Sequence, residues 1–505
     1  MGRYILCIDQ GTTSTKAFLL EKNGVLTAGT PVPIKQIYPG PGFVEHDPQE
    51  IYFSVLKAIV NVISENPFAV RDIDGIGITN QRETTIAFDE ETCATPYNAI
   101  VWQCRRTSEI CRRTEIKNFE QKICDTTGLK IDPYFSATKM LWIHENVPES
   151  ADCLLGTVDG YLVYRLTGKK VFASDYSNCS RTMLFDIKKL DYDDELLELF
   201  GVRRDRLAKP MPSCSDYGEV ALSKENLSDF NLKEKEIELL LTLNGVHITG
   251  VAGDQPAALF GQNALHEGEC KTTYGTGCFT LMNVGTKPVF SKSGLLTSAA
   301  WSMNGVTYYA LEGSVFQGGS VISWLKDEMK MIEKPSDVDP ICYSIQDTGG
   351  VYLVPAFTGL GAPYWNADVR GILTGLTRGT GRAQIVRASV ESIAYQVTEL
   401  VNLMTDDTGI SAKMMKVDGG VCASDFLMQL QSDLLGITIT RAQSDEMTAM
   451  GVGLLAGLTC GFFESADMLK ELYRSKKSYE PSMSAYEVST KMNGYKASVR
   501  TALAT

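Results

Sequence analysis

The chain contains no Gly-x-x-x-x-Gly-Lys-Ser/Thr run, so it cannot cradle phosphate with a P-loop. Its 13 cysteines include no Cys-x-x-Cys pair and only four histidines accompany them, which argues against a disulfide framework and against a zinc site. Reduced, mostly buried thiols are expected instead. Basic residues are the minority: 48 Lys and Arg against 61 Asp and Glu give a formal charge of −13, which disfavours nucleic acid or an anionic membrane as partner. That charge does not bar an anionic nucleotide, because a few local N–H groups and a metal ion outweigh a diffuse charge that salt screens over about 10 Å. Long apolar runs are also missing, since Gly451 to Phe463 is too short to span a bilayer. Met1-Gly2-Arg3 leads straight into strand-like sequence and the final Ala502-Leu503-Ala504-Thr505 is no retrieval or peroxisomal address, so no secretory leader is expected and the expected location is cytoplasmic.

What is present is the composition of a soluble globular protein, 44% hydrophobic and 22% charged, spread over 505 residues, too many for one ordinary core. Strand-like stretches such as Ile73–Ile78 alternate with helix-like ones such as Ile51–Ile63, which reads as α/β. Cys7-Ile8-Asp9-Gln10-Gly11-Thr12-Thr13-Ser14-Thr15-Lys16 is an apolar run that stops at an acid, turns through Gly and hydroxyl residues, and resumes. It reads as a β-hairpin with a phosphate-sized turn, where Gly11 lets amides face an anion and Asp9 could hold a divalent cation. Cys270 to Gly285 repeats the design around Gly275-Thr276-Gly277. Two related halves follow, each with its own sheet and phosphate-facing turn, and room for a nucleotide between them. The spacing predicts helices over Ile51–Ile63, Ile385–Leu403 and Asp425–Leu435, strands over Ile73–Ile78 and Met414–Asp418, and a surface loop or short helix within Leu222–Gly245.

This plan resembles the actin, hexokinase and Hsp70 class of ATP-binding folds, and particular strings resemble the FGGY carbohydrate kinase family over nearly the whole chain. One family signature is Tyr134-Phe135-Ser136-Ala137-Thr138-Lys139-Met140-Leu141-Trp142-Ile143-His144-Glu145-Asn146; the other runs from Gly371-Ile372-Leu373-Thr374-Gly375-Leu376 to Ala388-Ser389-Val390-Glu391. Strings such as Pro41-Gly42-Phe43-Val44-Glu45-His46-Asp47-Pro48, Ala252-Gly253-Asp254-Gln255 and Phe357 to Trp365 point to members whose substrate is glycerol. The resemblance implies two ribonuclease-H-like domains, 1–262 for glycerol and phosphate and 263–505 for the nucleotide, with the active site in the cleft between them. It also implies in-line phosphoryl transfer from ATP with Mg2+, and a homodimer or homotetramer.

By the same resemblance Asp254 is the general base, and Asp9 with Asp254 serves Mg2+ directly or through water. Glycerol would meet Arg82, Glu83, Tyr134, Asp254 and Gln255 through its oxygens, and Trp102 and Phe279 along its C–H edge. The nucleotide would meet Thr12, Thr13, Ser14 and Thr276, with Lys16 adding charge, Gly319 and Gly420 admitting its backbone contacts, and Ser323 and Ser424 facing ribose and adenine. The sequence departs from many relatives at Lys16, where they carry Arg, and at Ser323 and Ser424, where they carry Gln and Asn. The segment Leu222–Gly245 has neither a Gly cluster nor an Arg, and no histidine lies between His144 and His247, so control by fructose 1,6-bisphosphate or by histidine phosphorylation is not expected. Two other readings are open at this stage: a related kinase for a ketose or another polyol, and a nucleotide-switch protein that phosphorylates no metabolite.

Overall fold

The structure is a computed structural model that describes residues 3–361, 364, 366 and 368–504. Ala362, Pro363 and Trp365 of the Phe357 to Trp365 string lie outside the described residues.

Both expected hairpins form, and they organise two sheets of one topology. In the N-terminal half, β1 (Tyr4–Gln10) and β2 (Ser14–Glu21) are antiparallel, with Gln10 opposite Thr15 across the turn. They join β3 (Leu26–Ala28), β4 (Ile73–Asn80) and β5 (Ile248–Gly253) in the order β5-β4-β1-β2-β3, with β4 parallel to both β1 and β5. Helix α1 (Pro48–Glu65) packs against β2: the Asp47 carboxylate accepts from Gln49 N at 2.8 Å, Pro48 fits the first turn, and Ile51, Val55, Ile59 and Val62 turn inward.

The chain leaves β5 directly into α2 (Asp254–Gly261). The second sheet then uses β6 (Glu269–Tyr274), β7 (Cys278–Asn283), β8 (Leu296–Met303), β9 (Val306–Val315), β10 (Met414–Asp418), β11 (Thr438–Ala442) and β12 (Ser475–Tyr479). Its order is β8-β9-β7-β6-β10-β11-β12. The run β9-β7-β6-β10-β11 matches β3-β2-β1-β4-β5 strand for strand, antiparallel through the hairpin and parallel beyond it. This repeated five-stranded core is the expected ribonuclease-H-like topology. The helices expected over Ile385–Leu403 and Asp425–Leu435 are α3 (Arg382–Thr408) and α4 (Asp425–Leu435), while Leu222–Gly245 carries two short helices, Lys224–Ser228 and Glu234–Leu241.

Helix α5 (Met447–Thr459) belongs to the C-terminal half of the chain yet lies on β1, β4 and β5 and crosses α2. Glycine makes that crossing possible: a Cβ on Gly451 would sit 1.8 Å from Ala257 O, and one on Gly261 2.1 Å from Met447 O. Ile5, Phe18, Leu259, Phe260, Trp301 and Leu455 share one apolar cluster that joins the halves behind the cleft. All 13 cysteines are free thiols, most of them buried.

Candidate functional site

The site gathers at the C-terminal ends of β1, β4 and β5, which Lys271 of β6 and Glu312 of β9 reach from the second sheet. Asp9 is the penultimate residue of β1, and the turn after the strand is held by Gly11 N to Ser14 O at 3.0 Å, leaving Thr13 exposed and Thr12 and Ser14 half-buried. Burial pushes the Asp9 carboxyl up to about 7, with Glu446 and Asp254 adding to the rise and Lys16 opposing it. Lys16 is not a free cation at this turn, because its Nζ donates to Glu446 Oε1 at 2.6 Å.

The second turn mirrors the first. Gly275 N donates to Gly277 O at 2.9 Å, Thr276 is exposed, and the start of the helix Gly319–Asp327 docks on the turn through Gly319 N to Gly275 O at 2.7 Å. The strand-end turn at Gly419-Gly420 closes on the same place. Gly419 has φ 93°, and a Cβ there would stand 2.5 Å from Tyr274 O, so only glycine fits. The structure thus brings Thr276, Gly319 and Gly420 into one region. Ser323 is exposed on the Gly319–Asp327 helix, whereas the Ser424 hydroxyl donates to Asp339 and accepts from Leu427 N at 3.1 Å as the cap of α4.

Arg82, Glu83 and Asp254 belong to a largely buried ionic cluster. Arg82 and Glu83 follow β4, and Asp254 and Gln255 open α2. Arg82 Nε donates to Asp254 Oδ1 at 3.0 Å, and Gln255 N donates to the same oxygen at 2.7 Å, so Oδ2 is the free oxygen of that carboxylate. Arg82 is 2% exposed, and among the described residues its Nη1 is a buried donor without a hydrogen-bond partner. Burial opposes the Arg82 charge, but Glu312 and Glu83 beside it outweigh burial and hold its pKa well above the usual range. Glu83 is held in the left-handed region at φ 60°; its carbonyl accepts from Lys139 Nζ and Ser136 Oγ, both at 3.1 Å. Trp102 and Tyr134 meet edge to face with centroids 5.7 Å apart, and Phe279 is half-buried on β7, without a ring contact to either among the described residues.

Sequence reading missed the partners that hold these groups. Arg181 Nε donates to Glu83 Oε1 at 2.5 Å, Glu312 contacts Arg82 and Arg181, and Lys271 Nζ donates to Gln255 Oε1 at 2.7 Å. Glu312 is a charge inside an apolar stretch, Ala310-Leu311-Glu312-Gly313, and that pattern was an available signal; Arg181 and Lys271 stand among polar residues and gave none.

Asp9, Asp254 and Glu446 set three carboxylates near the first turn, with Lys16 paired to Glu446 and Arg82 paired to Asp254. The one carboxylate in excess fits a divalent cation bound beside phosphate. Among the described residues no group of three His, Cys, Asp or Glu side chains is placed to hold a metal ion by itself.

Comparison with known proteins agrees. Residues 4–261 match the N-terminal domain and residues 270–460 the C-terminal domain of the FGGY family of carbohydrate kinases. The chain is 45% identical to a glycerol kinase of Symbiobacterium thermophilum over 505 residues, covering 99% of this chain and 98% of that one. It is 46% identical to glycerol kinase 2 of Thermotoga maritima, covering 96% of each. Among solved structures, Plasmodium falciparum glycerol kinase with ADP superimposes with a TM-score of 0.91 at 34% identity, over 99% of this chain and 98% of that one. The chain belongs to the FGGY family of carbohydrate kinases.

Proposed function

We propose that this protein transfers the γ-phosphoryl group of ATP to glycerol, giving sn-glycerol 3-phosphate. The carrying observation is the Asp254 carboxylate, whose Oδ1 is pinned by Arg82 and Gln255 while Oδ2 takes no hydrogen bond among the described residues. Full-length likeness to glycerol kinases supports the choice of substrate.

The chain acts as two domains, 1–262 holding glycerol and phosphate and 263–505 holding the nucleotide. Arg82 Nη1, Glu83, Tyr134 and Gln255 orient the polyol oxygens, while Trp102 and Phe279 cover its carbon edge. Asp254 Oδ2 takes the proton of the attacking hydroxyl. Thr12, Thr13, Ser14 and Thr276 with their turn amides hold the phosphates in line, and Gly319, Gly420, Ser323 and Ser424 border the nucleoside. Asp9 and Asp254 would hold Mg2+, which when bound neutralises charge on the phosphates.

A cytoplasmic location and a homodimeric or homotetrameric assembly belong to the same reading; no helix among the described residues is long and apolar enough to cross a membrane. Activity should ignore fructose 1,6-bisphosphate at millimolar concentration, because the lysines of Leu222–Gly245 are interleaved with glutamates and its Glu236 is already paired with Lys57. The test of substrate is ADP release with ATP and, in turn, glycerol, dihydroxyacetone, glyceraldehyde and xylulose. Glycerol should give the highest kcat/KM; release independent of any acceptor, or greatest with xylulose, would contradict the proposal.

A further inference from the structure

Glu312 is a charged side chain in the middle of β9, flanked across the ladder by Leu281 and Leu296 and almost fully buried. Burying a carboxylate there costs several kcal/mol unless cations face it. Two do. Its Oε2 stands 2.9 Å from Arg82 Nη2, an ion pair without the alignment of a hydrogen bond, and its Oε1 accepts from Arg181 Nη2 at 3.2 Å. Arg181, fully buried, donates through Nε to Glu83 and through Nη1 to Ser298 Oγ at 3.1 Å. Asp254, Arg82, Glu312, Arg181 and Glu83 therefore form one continuous chain of opposite charges. Four of its members lie in the N-terminal half, and Glu312 alone comes from the second sheet.

We infer that Glu312 is a positioning residue, supplied by the second sheet, that fixes the Arg82 fork so that Nε holds Asp254 while Nη1 stays free for a substrate hydroxyl. The geometry gives the reason. A guanidinium without a partner at Nη2 is free to swing and bind a carboxylate bidentately, since the fork matches both carboxylate oxygens. On Asp254 that would occupy Oδ2, the oxygen left for the attacking hydroxyl, and would withdraw Nη1 from the substrate. Glu312 prevents this by engaging Nη2, and through Arg181 it fixes the Glu83 carboxylate as well. Glu312 touches neither substrate in this account.

The inference rests on the polyol-kinase reading above, and the experiment separates the two. Initial rates are measured for wild type, Glu312→Gln and Glu312→Asp, varying glycerol and Mg·ATP separately, with calorimetry of Mg·ADP and thermal unfolding as controls. If wild type does not turn over glycerol, the function fails, and the same comparison is run with whichever acceptor it does use. If wild type is active, E312Q should raise the glycerol KM by about tenfold or more and lower kcat, with the Mg·ATP KM and Mg·ADP affinity within about twofold. E312D, which keeps the charge, should fall between the two in glycerol KM. If E312Q does not fold, E312D alone decides, by the same split between glycerol and nucleotide. Glycerol and Mg·ATP KM values rising together would show a merely structural role, and kinetics within threefold of wild type would show none; either result overturns the inference.

Discussion

The indole Nε1 of Trp102 donates to the hydroxyl of Thr12 at 2.9 Å. One hydrogen bond thus ties the aromatic wall proposed for the polyol to the turn proposed for the phosphates, and disturbing either should be felt at both.

Trp102→Phe removes that donor and keeps an apolar wall. A net hydrogen bond is worth about 1 kcal/mol, so the KM values for glycerol and for Mg·ATP should both rise, each by up to about fivefold. Steady-state kinetics with each substrate varied would check this; a change confined to glycerol would mean that the bond does not couple the two sites.

Asp254→Asn keeps the shape of the carboxylate and removes the proton acceptor. We expect kcat to fall by about 10²–10⁴-fold, with glycerol affinity changed far less. A variant keeping more than about a tenth of wild-type kcat would remove Asp254 from the role of base.

Asp9→Ala should weaken Mg·ATP binding and leave glycerol binding nearly intact. The carboxyl, raised to about 7 by burial and by Glu446 and Asp254, is protonated below that pH and must lose its proton to face a cation. Mg·ATP affinity of the wild type should therefore drop as pH falls below about 7, and D9A should lack that dependence. Calorimetry from pH 5.5 to 8 would decide, and equal pH dependence in both proteins would refute the assignment.

His46 is buried. Its Nδ1 lies 3.4 Å from Gln81 Nε2, its Nε2 has no partner among the described residues, and burial lowers its pKa to about 4. The folded state refuses the proton that the unfolded chain accepts below about 6.5, so this group's contribution to stability is lost as pH falls from about 6.5 to 4. His46→Gln lacks that penalty, and the stability gap between wild type and variant should shrink by about 2 kcal/mol between pH 7 and pH 5. Denaturant unfolding across that range would show it, whereas parallel curves would contradict it.

Local pattern carried much of this molecule. The alternation of apolar runs with Gly and hydroxyl turns gave both hairpins, and the three- and four-residue spacing gave Asp425–Leu435 with its observed ends. Pairings set by tertiary packing were not legible. Lys16 and Glu446 are 430 positions apart, and Arg181 and Glu312 are 131 apart, so no local rule links them. The positive charge expected of Lys16 toward phosphate is accordingly shared with a carboxylate. Ser424 shows the same limit, since its hydroxyl serves Asp339 and a helix cap, which the sequence did not reveal.

The most direct test of the central claim is the identity of the product. The protein is incubated with ATP, Mg2+ and glycerol, and the phosphorylated product is followed by phosphorus NMR and then offered to a dehydrogenase that oxidises only sn-glycerol 3-phosphate. One equivalent of that product per ADP is expected, falling with Asp254→Asn. ADP formed without a glycerol phosphate, or a product the dehydrogenase rejects, would contradict the account.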